Sequence, residues 1–219
     1  SKLPPEKEPE APPVRPRPEA DTCSTDPNSD IDVLVVYTDD ARVGAGGTDA
    51  MEATVYLALY ETNQSYINSN VNQRLRLAHM EEVSYTESGV SSTDKTRLQN
   101  SSDGTLDNVH TLRNTFAADL VVLLTESLDY CGESYIMTSV SNAFEAYGFA
   151  VVKRDCATGN YSFGHELGHI MGARHDWPSD NTNNSPYAYN HGHYVTSPAD
   201  TSVSPWRTVM SYNNSACAG

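Results

Sequence analysis

Three histidines and a glutamate stand close together in Gly164-His165-Glu166-Leu167-Gly168-His169-Ile170-Met171-Gly172-Ala173-Arg174-His175-Asp176. Side chains four residues apart share one face of a helix, with roughly 5–6 Å between their Cβ atoms. His165 and His169 have that spacing, and two imidazoles on one face can close on a single metal ion at about 2.0–2.1 Å per bond. Glu166 follows the first of them, where its carboxylate can lie beside a water on the metal without taking a coordination position. On an uninterrupted helix His175 would face elsewhere, because at about 3.6 residues per turn it does not return to the same side. It joins the other two only if the helix stops. Gly172 is the residue able to stop it, since glycine takes φ > 0 without steric cost. The pattern HExxHxxGxxH therefore predicts three neutral imidazole ligands with a fourth position left for water. That is the open arrangement of a catalytic zinc site; a structural zinc site closes all four positions. The matching chemistry is hydrolysis, with Glu166 as the general base that takes a proton from water and returns it to a leaving amine.

The run HELGHIMGARHD resembles the extended zinc signature of the metzincin metallopeptidases. That family also carries a methionine turn beneath the metal. Trp206-Arg207-Thr208-Val209-Met210-Ser211-Tyr212 is similar to it, which makes Met210 the turn methionine. Asp176 resembles the structural aspartate of the snake-venom-type members. Tyr212 stands where astacin-like and serralysin-like members place a tyrosine that can touch the zinc, and its hydroxyl is a candidate donor to the developing oxyanion. The chain thus mixes features of two subgroups.

A closer resemblance is to the bacterial peptidyl-Asp metalloendopeptidases, carried by DVLVVYTDDAR, FGHELGHIMGARHD and WRTVMSY and covering about residues 30–219. It implies cleavage before acidic residues, aspartate ahead of glutamate. Arg207, beside the methionine turn, is the candidate partner for that carboxylate, because a guanidinium pairs with it in a planar fork. Lys153 and Arg154 are further sources of positive charge. Two alternatives stand beside this reading: an endopeptidase with an apolar specificity pocket, and a metal-binding interaction module without activity. The presence of Glu166 speaks against the second.

The elements that must hold these groups can be read from periodicity in a chain of 219 residues, long enough for one well-cored domain with an appendage. An apolar run at 31–37 predicts a central strand, and the polar, glycine-rich 39–47 a turn. A helix follows at 49–68, with Met51, Val55, Ala58, Leu59 and Tyr66 near one face. The segment 72–85 alternates through Leu75, Leu77 and His79 as a half-buried strand. A polar stretch, 91–102, precedes a second helix at 106–117 and a short buried strand at 119–124. Residues 132–146 read as irregular and 149–154 as a strand. In metzincins a strand in this order forms the upper rim of the cleft, where extended substrate adds by backbone pairing. The zinc helix is predicted at 162–173. The expected fold is thus α/β (α+β) and metzincin-like. It has a twisted, mostly parallel sheet with helices in an upper lobe, the zinc helix, and a small irregular lower lobe. The catalytic domain spans 23–219, with the upper lobe at about 23–172 and the lower at about 173–219. Residues 1–22 are proline-rich and read as a disordered tail or a pro-segment remnant, which makes a zymogen the expectation.

The net charge of -15 argues against nucleic acid, whose phosphates would be repelled, and against a polybasic membrane contact. No apolar run reaches the roughly 20 residues of a membrane span. The expected partners are protein or peptide substrates met by a monomer. Four cysteines without C-x-x-C spacing predict two disulfides, Cys131 with Cys156 and Cys23 with Cys217, in a secreted, extracellular and bacterial protein. Cys23 has an alternative, as a blocking zinc ligand from a residual pro-segment. One catalytic Zn2+ is expected. Residues 180–184 are oxygen-rich but lack calcium-loop spacing, so Ca2+ is an option that nothing else in the sequence supports.

Overall fold

The computed structural model describes residues 30–182, 185–196 and 204–212. The residues 1–22 and the pair Cys23 and Cys217 lie outside these. The sheet is organised on β1 (Ile31–Thr38), whose alternate side chains enter two different cores. Val33, Val35 and Tyr37 face one way; Leu34 and Val36 face the other. A strand buried on both faces reads as a continuous apolar run, which is why its signal was unambiguous. Thr38 ends it by accepting a hydrogen bond from the Ala41 amide at 3.0 Å. That cap starts α1 (Asp39–Ala45), where a turn was expected. Asp39 and Asp40 occupy its first turn, where the helix dipole favours negative charge, and Gly46 closes it at φ 100°. The glycines read as turn residues are the stop signal of a short helix.

α2 (Thr48–Asn68) then crosses back to β2 (Leu75–Val83), which pairs parallel to β1 at the sheet edge. After α3 (Ser91–Gln99) and α4 (Asp107–Thr115) comes β3 (Leu120–Thr125), parallel to β1 on its other side. Met51, Val55 and Leu59 of α2 share one core with Val33 and Val35. Leu98 of α3 and Val109 of α4 share the second with Leu34 and Val36.

The stretch expected to be irregular contains β4 (Gly132–Ser134) and a 3-10 turn, Asn142–Tyr147. β4 pairs antiparallel with β5 (Phe149–Lys153), and β5 pairs parallel with β3. The order is β2-β1-β3-β5-β4. Both edges of β5 are therefore hydrogen-bonded, and the rim strand is β4 rather than the strand at 149–154. The Cys131–Cys156 disulfide explains how so short a strand keeps its place. Cys131 immediately precedes β4 and Cys156 lies in α5 (Arg154–Ala157), so the bond clips the start of β4 to the end of β5. The Lys153 amide also donates to the Cys131 carbonyl at 2.9 Å.

The helix expected at 162–173 is α6 (Ser162–Ile170). Phe163, Leu167 and Ile170 bury it in the first core. It stops earlier than the hydrophobic pattern suggested because Gly172 sits at φ 91°, with the Ala173 amide donating back to the Gly168 carbonyl at 2.8 Å. Beyond it the chain is mostly irregular. β6 (Tyr194–Val195) and β7 (Trp206–Arg207) make a two-stranded ribbon. Among the described residues no helix is long and apolar enough to cross a membrane.

Candidate metal centre

α6 places His165 and His169 one turn apart on the face that looks towards the lower segment. The reversal at Gly172 brings His175 to meet them. Nε2 of His175 lies 3.1 Å from that of His165 and 3.0 Å from that of His169. Nδ1 of His165 lies 2.9 Å from the Val209 carbonyl, and Nδ1 of His169 lies 2.8 Å from the Ala173 carbonyl. A carbonyl only accepts, so both Nδ1 atoms carry the proton and both Nε2 atoms present lone pairs. His175 has one proton at most to share between them. Lone pairs converging in this way repel one another unless a cation stands between them. Two nitrogens bound tetrahedrally at about 2.05 Å would be roughly 3.3 Å apart, close to the separations seen. The donor set therefore fits a metal ion of zinc's preferences, and among the described residues it is the one cluster with this geometry.

The electrostatics agree. Burial lowers all three histidines from their ordinary value, His169 to about 3, and mutual repulsion adds to the effect at His165 and His169. They stay neutral at physiological pH, as ligation requires.

Glu166 is 5% exposed at the cleft floor. Burial pushes its carboxyl up to about 7, against the opposing hydrogen bond from Ser134. The Ser134 hydroxyl reaches Glu166 Oε2 at 2.7 Å and its carbonyl oxygen at 2.9 Å. Gly132, two residues earlier on β4, faces the same side chain. A Cβ added there would lie 2.7 Å from Glu166 Cγ. Between them, Glu133 accepts from the Ser91 hydroxyl and from Lys95 Nζ at 2.6 Å, which ties β4 to α3. Gly132 and Ser134 escaped the sequence reading because a three-residue strand carries no periodic signal.

The methionine turn supports α6 from below. A Cβ at Gly168 would lie 2.6 Å from Met210 Sδ, so the sulfur packs on bare helix backbone. The neighbouring Val209 carbonyl orients His165. Asp176 is buried and bridges the two halves of the site. Its Oδ2 accepts from the Tyr212 amide at 2.8 Å, and its Oδ1 from the Ser179 hydroxyl at 3.0 Å. The ring of Tyr212 lies 4.4 Å from that of His175 and is half exposed in the cleft. Burial raises its hydroxyl pKa, with the charges of Glu166 and Asp176 adding to the effect.

The cleft has a volume of about 690 Å³, and Arg207 is on its wall. Nη1 of Arg207 donates to the Ser211 carbonyl at 2.6 Å. Arg174, absent from the sequence reading, also lines it. It is buried, and it donates to Asp180 at 3.0 Å, Thr182 at 2.6 Å and the Ser185 carbonyl at 3.0 Å. Asp180 is thereby committed to a side-chain cation, and calcium gains no support at 180–184; Asn183 and Asn184 lie outside the described residues. Lys153 and Arg154 are placed elsewhere. Arg154 pairs with Glu126 through two bonds of 2.6 and 2.9 Å, and Lys153 lies 3.6 Å from Asp155. Neither lines the cleft, since β5, which Lys153 ends and Arg154 follows, is not the rim.

The model of metallo-peptidase family M12 matches residues 28–218. A peptidyl-Asp metalloendopeptidase of Stenotrophomonas maltophilia is 52% identical over 187 residues, covering 85% of this chain and 42% of that protein. The protein of the same name from Pseudomonas fragi is 39% identical over 153 residues, covering 70% of this chain and 73% of its own length. The chain thus spans less than half of the first relative. A solved chain titled "Structure of a chaperone-substrate complex" covers 87% of this chain and 32% of its own length, with a TM-score of 0.62 at 18% identity, a likeness of fold alone.

Proposed function

Because this chain belongs to metallo-peptidase family M12, we propose that it is a secreted zinc endopeptidase cutting proteins and peptides before aspartate, with glutamate a weaker substrate. The observation that carries the reading is the convergence of three imidazole nitrogens in a cleft that also holds Glu166. Bound there by His165, His169 and His175, zinc would lower the pKa of a coordinated water to about 7 and polarise the scissile carbonyl.

The rest falls to the chain's own groups. Glu166 is the base that takes the proton of the attacking water and delivers it to the leaving amine. Ser134 occupies Oε2, which assigns the proton to Oε1. Tyr212, beside His175, offers its hydroxyl to the oxygen on which charge develops. The outer edge of β4 receives extended substrate by backbone pairing, which keeps the scissile bond in register with the metal. The charge of Arg207 favours a carboxylate on the residue after the cut, and the names of the relatives support that preference. The Cys131–Cys156 disulfide supports an oxidising compartment.

Mapping cleavage sites on a denatured proteome tests the proposal. Aspartate should dominate the position after the cut, with glutamate second. Leucine or phenylalanine there would refute the acidic pocket and favour an apolar one. No cleavage by metal-loaded protein would refute the enzyme reading itself.

A further inference from the structure

The start of α6 is built for an anion. Its first residue, Ser162, follows Tyr161 at φ 61°, no side chain caps the helix, and its first turn holds no acidic residue. The leading amides of a helix lack intrahelical acceptors and carry the positive end of its dipole, so this end is electrostatically unbalanced. Ser162 supplies the second observation. It is 8% exposed, yet it lines the cleft, and its hydroxyl meets no hydrogen-bond partner among the described residues. Its oxygen is not among the buried unpaired polar atoms, so the hydroxyl is open to the cleft, where an incoming carboxylate can accept from it. Ser162 also precedes His165 by three residues, a rise of about 4.5 Å along the helix. A side chain one residue beyond a carbonyl held at the metal is within that reach. Arg207 lines the same cleft.

Resting on the endopeptidase reading above, we propose that the carboxylate of the residue after the cut is received by the amino end of α6 and the Ser162 hydroxyl, with Arg207 supplying charge from the facing wall. The two parts select differently. Helix amides and a short serine side chain are fixed, so they fit one carboxylate length. Arginine is long and adjusts. Ser162 therefore sets aspartate over glutamate, while Arg207 sets acidic over apolar.

The test measures kcat/KM on three peptides that differ only in Asp, Glu or Leu after the cut, together with calorimetric binding of an Asp-initiated product peptide to zinc-loaded Glu166→Gln protein. Ser162→Ala should lower kcat/KM for the Asp peptide about 10-fold or more, as expected for a hydrogen bond to a charged group. The Leu peptide should change less than about twofold, and product binding should weaken in parallel. Ser162→Thr should restore the preference. Ser162→Asp, which would itself cap the helix, should abolish cleavage before Asp and spare cleavage before Leu. Equal losses on Asp and Leu peptides, or an unchanged Asp-to-Glu ratio in Ser162→Ala, would overturn the assignment while leaving acidic specificity standing. A wild-type enzyme without preference for Asp would overturn both.

Discussion

Gly132→Ala should cripple hydrolysis while leaving the fold and the metal in place. The position lies on the rim strand, opposite the proposed base. An added Cβ would stand 2.7 Å from both Cγ and Oε1 of Glu166 and 3.0 Å from Cδ. Carbon atoms pack at about 3.5–4.0 Å, so something must yield by about 1 Å. The glutamate cannot simply swing outward, because it is 5% exposed and Ser134 grips Oε2 at 2.7 Å. The strand cannot easily retreat, because Gly132 pairs with Val152 and the adjacent Cys131 is cross-linked to Cys156. Cγ is too near the backbone to escape by a terminal rotation, so the carboxylate is displaced. A misplacement of about 1 Å at a reacting group costs about 10²-fold in rate. At about 1.36 kcal/mol per factor of ten, that is about 2.7 kcal/mol of transition-state stabilisation.

Gly132 is not among the glycines at positive φ, so alanine brings no backbone strain of the left-handed kind. The assay is steady-state kinetics on a quenched peptide containing one Asp, with bound zinc measured on the same preparation and thermal melting as a control. The expected result is kcat down about 10²-fold, KM nearly unchanged and one zinc retained. A variant that keeps its zinc and runs within about threefold of wild type would show that β4 does not set the position of Glu166, and the argument would fail.

Three further variants probe other parts of the site. Glu166→Gln should retain the metal and lose about 10²–10⁴-fold or more in kcat, since general-base catalysis is worth that much and here serves two proton transfers; a variant keeping a tenth of the rate would exclude it as the base. Asp180→Ala should strand the buried Arg174 guanidinium and cost about 3 kcal/mol of stability, read as a lower denaturant midpoint, whereas a change under about 0.5 kcal/mol would show that Thr182 and Ser185 suffice for Arg174. Replacing Cys131 and Cys156 together by serine opens a loop with a sequence separation of 25. By chain entropy this should cost about 3.5 kcal/mol. It should also lower kcat, because β4 loses its clip; loss of stability with kcat untouched would separate the disulfide from the rim strand.

What could be read from the sequence, and what could not, divides along contact distance. The ligand set lies within one short run, so helical pitch and one glycine dictate that His165, His169 and His175 can meet. The strands β1 and β3 declare themselves because burial on both faces leaves an unbroken apolar run. Orientation is different. His165 is aimed by the Val209 carbonyl, 44 residues away, and Glu166 is held by Ser134 at a separation of 32. Such partners leave no local pattern, and a serine or a carbonyl has no signature until the chain is folded. The errors have the same origin. Gly44, Gly46 and Gly47 looked like a turn, because the Thr38 cap that converts the segment to a helix is a matter of one hydroxyl. The strand ending at Lys153 looked like a free rim because the strand that covers it is three residues long. Lys153 and Arg154 then looked available to substrate, although Arg154 is spent on Glu126. In this protein the three imidazoles and the glutamate beside them can be named from sequence spacing. What holds Glu166 in place cannot, because β4 is itself held by a disulfide and a neighbouring strand.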